Sequence, residues 1–184
     1  MKIIDKIRIV VLLTLLALCI AIFSTCKKPG YGTISVSMKD APANYQEVNI
    51  DLQSVEIFIE GAETGWYKLN THKGVYNLLL LQSMPVLVTT VERIPSGKIA
   101  RLRFILGDNN SIKENNNYFP LQPAKEGDNY SIIIPAGYSV SENSEVNILI
   151  DFDAARSVFK TTENKFILKP VIVSGKVNSP YDLY

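Results

Sequence analysis

Apolar and polar positions alternate with a period of two along most of the chain, the spacing of strands whose side chains point to opposite faces. From Gly32 to Lys39, Ile34, Val36 and Met38 share one face, with Thr33, Ser35, Ser37 and Lys39 on the other. From Glu145 to Asp153 the same rhythm sets Val146, Ile148, Ile150 and Phe152 against Asn147, Leu149, Asp151 and Asp153. From Lys98 to Leu106 it turns Ala100, Leu102, Phe104 and Leu106 inward and Arg101 and Arg103 outward. Gln46 to Glu60 changes phase midway. Val48, Ile50 and Leu52 occupy even positions, then Val55, Ile57 and Ile59 occupy odd ones. A one-residue slip would turn half of this strand to water, so the pattern predicts a β-bulge or bend near Gln53-Ser54.

Turn signals separate these runs. Asp40 to Asn44 reads as a turn in which Asp40 accepts from backbone N–H groups two residues on. Gly61 to Gly65 is a second turn, and Trp66 to Leu69 returns as the short arm of a hairpin. Val75 to Leu81 ends in four leucines and is open between a strand and one helical turn. Val86 to Val91 reads as strand and Ile94 to Gly97 as turn. The asparagine-rich stretch Gly107 to Asn117 reads as a surface loop too polar to bury. Tyr118 to Leu121 is a short extended piece. Ser131 to Ile134 is a strand ended by Pro135, and Ala136 to Ser144 is loop. Ala154 to Lys160 is a turn or a helical turn. Phe166 to Val173 is the last strand, with Pro170 marking an edge or a bulge. About nine short strands without a long amphipathic helix predict an all-β sandwich over residues 32–174, followed by a tail, 175–184.

A different pattern precedes the strands. Lys2, Lys6 and Arg8 stand against Asp5, and Ile9 to Phe23 is apolar apart from Thr14. Its fifteen residues suit the core of a signal peptide and fall short of the roughly 18 to 20 that a spanning helix needs. Phe23-Ser24-Thr25-Cys26 resembles the lipobox of bacterial lipoproteins, in the looser form that looks like those of the Bacteroidota. Phe23 departs from the usual Leu, and Thr25 from the usual Gly, Ala or Ser. The resemblance implies a leader over residues 1–25, a lipid on Cys26 that makes the membrane a partner, and a tether over residues 26–31. Lys27 and Lys28 follow the cysteine where surface-exported relatives tend to carry acids. That implies the periplasmic side of the outer membrane.

Composition then narrows the chemistry. Loss of residues 1–25 removes Lys2, Lys6, Arg8 and Asp5 and takes the net charge from +1 to −1. A near-neutral domain has no electrostatic reason to bind nucleic acid. The two cysteines are Cys19, inside the leader, and Cys26. The remaining domain therefore has no disulfide, no cysteine nucleophile and no thiolate metal site. His72 is the single histidine, which excludes a histidine-rich zinc site.

Few residues are candidates for a site. Asp151 and Asp153, two apart on one strand, point to one face, and with Asp40 or Asp108 they are weak candidates for a calcium site. Calcium takes about six to eight oxygens, and the Asp108-Asn109-Asn110 run lacks the glycine and distant glutamate of an EF-hand loop. The spacing of Asp151 and Asp153 also suits an acid/base carboxylate pair, but nothing else in the sequence builds a cleft for one. Ser96, Ser139 and Ser157 lack a nucleophile-elbow context, and His72 sits in a polar turn. No catalytic set and no cofactor is expected. Arg101 and Arg103 are expected to pair with cross-strand acids such as Glu56. Trp66, Tyr67 and Tyr76 are either a glycan platform or, as the simpler reading, hairpin and core-edge packing.

Asp40-Ala41-Pro42, Ile94-Pro95-Ser96-Gly97, Arg101-Leu102-Arg103, Asp151-Phe152-Asp153, Ser157-Val158 and Leu168-Lys169-Pro170-Val171-Ile172 follow one another along the chain. Together, from about Gly32 to Val173, they resemble the domain-of-unknown-function 4382 family of bacterial lipoproteins. Ile99 departs from the tyrosine frequent there. The resemblance implies an immunoglobulin- or transthyretin-like β-sandwich beneath a lipid anchor and carries no established activity. The expected role is a non-enzymatic binding or scaffold module with an envelope protein or a glycan as partner. The alternatives are a calcium- or glycan-binding module and a fimbrial-type assembly subunit. For the last, the tail 175–184 is a poor donor strand, with only Val177, Tyr181 and Leu183 apolar.

Overall fold

The computed structural model describes residues 3–4, 11–12, 30–61, 64–123 and 130–177. The leader core, Cys26, most of the tether and the tail beyond Val177 lie outside the described residues. Among the described residues no helix is long and apolar enough to cross a membrane.

The chain forms two sheets packed as a sandwich, as the alternation predicts. In order, the first strands are β1 (Tyr31–Ala41), β2 (Glu47–Glu60), β3 (Gly65–Lys68) and β4 (Gly74–Asn77). A 3-10 turn (Leu78–Leu81) follows, then β5 (Val86–Leu87), β6 (Glu92–Pro95), β7 (Gly97–Leu106), β8 (Ser111–Glu114) and β9 (Asn117–Pro123). The chain ends with β10 (Ser131–Val140), β11 (Glu145–Asp153), the one-turn helix α1 (Ala154–Ser157), β12 (Val158–Lys160), β13 (Phe166–Leu168) and β14 (Ile172–Val177). The fourteen described strands exceed the nine expected because several are pieces of two to four residues, which leave little periodicity to read.

The small sheet runs β14-β11-β1, with β5 and β6 both on the far edge of β1. β1 and β11 are parallel, from Thr33 beside Glu145 to Ala41 beside Asp153. Ser35 Oγ donates to Asn147 Oδ1 across this pair at 2.6 Å, so these two buried polar groups on the outer side of the sheet satisfy each other. The large sheet is built on β2. One edge of β2 takes β7 and β8, and the other takes β3 and β4. β10 flanks β7, and β9, β13 and β12 extend the sheet past β8.

The core lies between the sheets. Ile34, Val36, Met38, Val146, Ile148, Ile150 and Phe152 face Ile50, Leu52, Val55, Ile57, Ile59, Leu102 and Phe104, and all are buried. The phase change in β2 occurs where expected: the register against β7 slips between Leu52 and Ser54. A second slip was not legible. Ile59 pairs Ile99 directly after Phe58 pairs Arg101, which leaves Ala100 as the extra residue. Ile99 is therefore fully buried and Ala100 only half-buried, the reverse of the expected assignment.

Four further expectations change. Pro135 does not end its strand, because a bulge between Pro135 and Tyr138 absorbs it and β10 continues to Val140. The Gly107–Asn117 stretch is no loose loop. It contains β8 and a tight turn at Asn115 and Asn116, whose φ values of 51° and 63° suit asparagine. Asn110 within it is buried. Phe166–Val173 is not one strand: β13 belongs to the large sheet and β14 to the small one, with Pro170 at the crossing. Ile94 and Pro95 lie in β6, and Ser96 alone turns the chain into β7.

Candidate functional site

The bulge at Gln53 leaves a gap between β7 and β8 along β2, and side chains fill it. Asp51 N–H donates to Asn110 Oδ1 at 2.8 Å, and Asn110 Nδ2 donates to Gly107 O at 2.6 Å. The buried Asp51 carboxylate accepts from Gln53 Nε2 at 2.5 Å and from Asn109 N and Nδ2 at 3.2 and 3.1 Å. These bonds stand in for missing ladder bonds, which is how so polar a segment is buried.

Beyond that gap the outer face of the large sheet carries ordered rows. Register sets Lys68 (β3), Glu56 (β2), Arg103 (β7) and Ile133 (β10) side by side. The next row holds Trp66, Phe58, Arg101 and Pro135. Arg103 Nε donates to Glu56 Oε2 at 2.8 Å, and its Nη2 bonds the same oxygen. This is the expected cross-strand pair. Its guanidinium also stands 4.1 Å from the centre of the Trp66 ring. Arg101 lies 4.5 Å from the Phe58 ring centre and 5.4 Å from that of Trp66. Phe58 and Trp66 meet edge to face at 5.3 Å. Two guanidiniums held on rings, that of Arg103 also by the Glu56 carboxylate, give this face fixed positive charge.

Two adjoining clefts open beside the rows. One, of about 350 Å³, is lined by Gln53, Ser54, Glu56, Arg103 and Ser131 with Lys68 and Lys73. The other, of about 310 Å³, shares Lys68 and Lys73 and adds Asn70, Thr71 and Glu92. The sequence held no particular signal for these lysines, since a lysine at a strand end or turn is commonplace.

The aromatic candidates separate. Trp66 faces outward, whereas its neighbour Tyr67 pairs Ile57 and packs against the core. Tyr76 also packs there, and its hydroxyl donates to His72 O at 2.5 Å. The three form no common platform, so the simpler packing reading holds for both tyrosines. Strand alternation at Trp66-Tyr67 already carried that signal.

Asp40, Asp151 and Asp153 sit on the small sheet, each with a local partner. Asp151 Oδ2 meets Lys39 Nζ at 2.8 Å, its neighbour across β1 and β11. Asp153 Oδ1 caps α1 by accepting from Arg156 N–H at 3.0 Å. Asp40 is buried and accepts from Ala154 N–H at 3.0 Å, not simply from its own turn. Burial pushes its carboxyl up to about 6, against the pull of the Ala154 and Ala41 N–H groups and helped by the charges of Asp153 and Asp151. Its Oδ2 has no hydrogen-bond partner among the described residues. Asp108 is exposed in the turn after β7. Among the described residues no three His, Cys, Asp or Glu side chains stand together as a metal set.

The nucleophile candidates have structural surroundings. Ser157 Oγ donates to Asp153 O at 2.5 Å and accepts from Val171 N–H at 2.8 Å, tying α1 to the crossing between sheets. Ser139 is exposed in β10, and Ser96 occupies the single-residue turn. His72 Nδ1 donates to Leu87 O at 3.0 Å.

No curated protein and no solved structure matches the chain. A family model does, over residues 31–170, which spans the sandwich from the first strand to the crossing at Pro170. The chain belongs to the family described as a domain of unknown function, DUF4382.

Proposed function

We propose that this chain is a non-enzymatic binding module of the cell envelope. Its anchor is a lipid on Cys26, in the outer membrane and on the periplasmic side. Its ligand face is the outer face of the large sheet. The observation that carries the reading is the pair of clefts beside the Lys68–Glu56–Arg103 row, where charged and polar side chains converge on open space. Elsewhere in the sandwich, Asp51, Asn110 and Ser157 spend their polar groups on its own structure.

Two measurements test the two halves. Acyl labelling of the full chain in a producing cell supports the anchor if label and membrane association are lost together in Cys26→Ala. Label that persists in the variant overturns it. For the binding half, a panel of envelope saccharides is screened by thermal unfolding. A ligand that binds only the native state adds about 2.7 kcal/mol at a hundred times its dissociation constant. A midpoint rise that disappears in Trp66→Ala supports the assigned face. A rise that survives the substitution, or no rise across the panel, overturns it.

A further inference from the structure

Building on the binding-module reading, we infer that the paired clefts beside Trp66 and Arg103 bind an acidic saccharide, a chain of hydroxyl-rich units bearing carboxylates. Charge accounts for the acid. Both carboxylates that line the clefts are engaged. Glu56 is gripped by Arg103, and Glu92 Oε1 accepts from Asn70 N–H at 2.5 Å and from Thr90 Oγ1 at 3.3 Å. Lys68 and Lys73 are exposed and have no ion-pair partner among the described residues. Lys68 stands directly across from Glu56, yet Arg103 has taken that carboxylate. The site therefore offers unspent ammonium groups and almost no free acceptor for a cation. An anion with outward hydrogen-bonding groups satisfies it.

Shape accounts for a chain of units. The two clefts share the same two lysines, with about 350 Å³ in one and about 310 Å³ in the other. Each is at the small end of the roughly 300 to 1,000 Å³ range of ligand pockets. A single small anion would fill neither. An oligomer that crosses the lysines places one acid between them and a hydroxyl-rich ring in each cleft. Gln53, Ser54 and Ser131 supply amide and hydroxyl partners on one side, and Asn70 on the other. Arg103 enters this site already held by Glu56 and by the Trp66 ring, so little ordering is left for binding to impose.

The test is calorimetric titration of the full chain, in nonionic detergent, with tetragalacturonate, with its methyl ester and with inorganic phosphate. The ester keeps the ring and removes the charge. Tetragalacturonate is expected to bind, and Lys68→Gln and Lys73→Gln are each expected to weaken it about tenfold, the size of one charged hydrogen bond. The thermal midpoint of both variants should match the parent, since neither ammonium has a structural partner to lose. The inference is overturned by an ester that binds as well as the acid, or by an acid that binds the double variant as well as the parent. An ester whose binding is lost in Trp66→Ala leaves the binding-module reading standing on a neutral ligand. Phosphate that binds as tightly as the oligomer overturns the saccharide and assigns the lysines to phosphate groups. No binding of any of the three overturns the acid assignment, and the wider saccharide panel then decides the module reading separately.

Discussion

Asp40 offers a quantitative test of how the end of β1 is tied to α1. It sits at the end of β1, 4% exposed, and its carboxylate holds the N–H of Ala154 at the start of α1. One oxygen has no partner among the described residues. Burial is the main reason that its carboxyl is raised from 3.8 to about 6, and Asp153 and Asp151 push in the same direction. Lys39, the nearest cation on β1, is committed to Asp151. The folded state therefore holds the Asp40 proton more tightly than the unfolded chain. Well below pH 3.8 both states are protonated and the residue costs nothing. As pH rises from 3.8 to about 6 the unfolded chain releases the proton first, so stability falls, and above 6 the full penalty is present. Each tenfold in proton affinity is worth about 1.4 kcal/mol, so the penalty amounts to about 3 kcal/mol. Asp40→Asn keeps an oxygen for the Ala154 N–H and removes the charge. The assay is urea unfolding followed by the fluorescence of Trp66, the single tryptophan, at steps from pH 4 to pH 8. Glu47, held below its ordinary range chiefly by the Tyr118 hydroxyl, slopes the opposite way in both proteins and cancels in the difference. The variant should be the more stable at pH 7.5 by about 3 kcal/mol, with the gap closing towards pH 4. A gap that is constant with pH, or a variant less stable at pH 7.5, would refute the reasoning.

Three other substitutions probe different parts of the frame. Ile57→Ala empties a fully buried position at the centre of β2 and should cost about 2 to 5 kcal/mol in urea unfolding. Asn110→Ala removes the acceptor of the Asp51 N–H and the donor to Gly107 O, and should cost about 1 to 3 kcal/mol by the same measurement. Gly97→Ala sets a Cβ 2.6 Å from Glu60 O and 2.7 Å from the Ile59 Cγ2, so the start of β7 must shift. A loss of about 1 to 3 kcal/mol is expected, visible as a lower thermal midpoint.

The long strands were legible because each has one dry and one wet face. β11 has the predicted bounds, and the slip in β2 was readable because both halves of that strand are apolar. The slip in β7 was hidden because Ala100 is apolar enough to pass as a core residue, while its neighbour Ile99 fills the space. Pro135 misled for a related reason: a bulge tolerates a residue without an N–H, and no local signal announces one. Periodicity names a face but not a neighbour, so neither the parallel β1–β11 pair nor the split of Phe166–Val173 across two sheets was readable. At the site, the Arg103–Glu56 pair was readable because alternation and charge agree. The clefts were not, since they depend on which of several carboxylates each cation reaches.

The parallel pairing of β1 with β11 also governs the order of events in folding. Ser35 and Asn147 are 112 positions apart, and every ladder bond between these strands closes a loop of similar length. The closure entropy of such loops must be met before the contacts repay it, which makes folding slow and late. A nascent chain that has emerged only as far as Val140 has β1 without its parallel neighbour and the small sheet without β11 or β14. Such a chain can pair β1 only with β5 and β6, on one of its two edges. The small sheet is therefore completed only when the last quarter of the sequence, beyond Val140, is free to join β1.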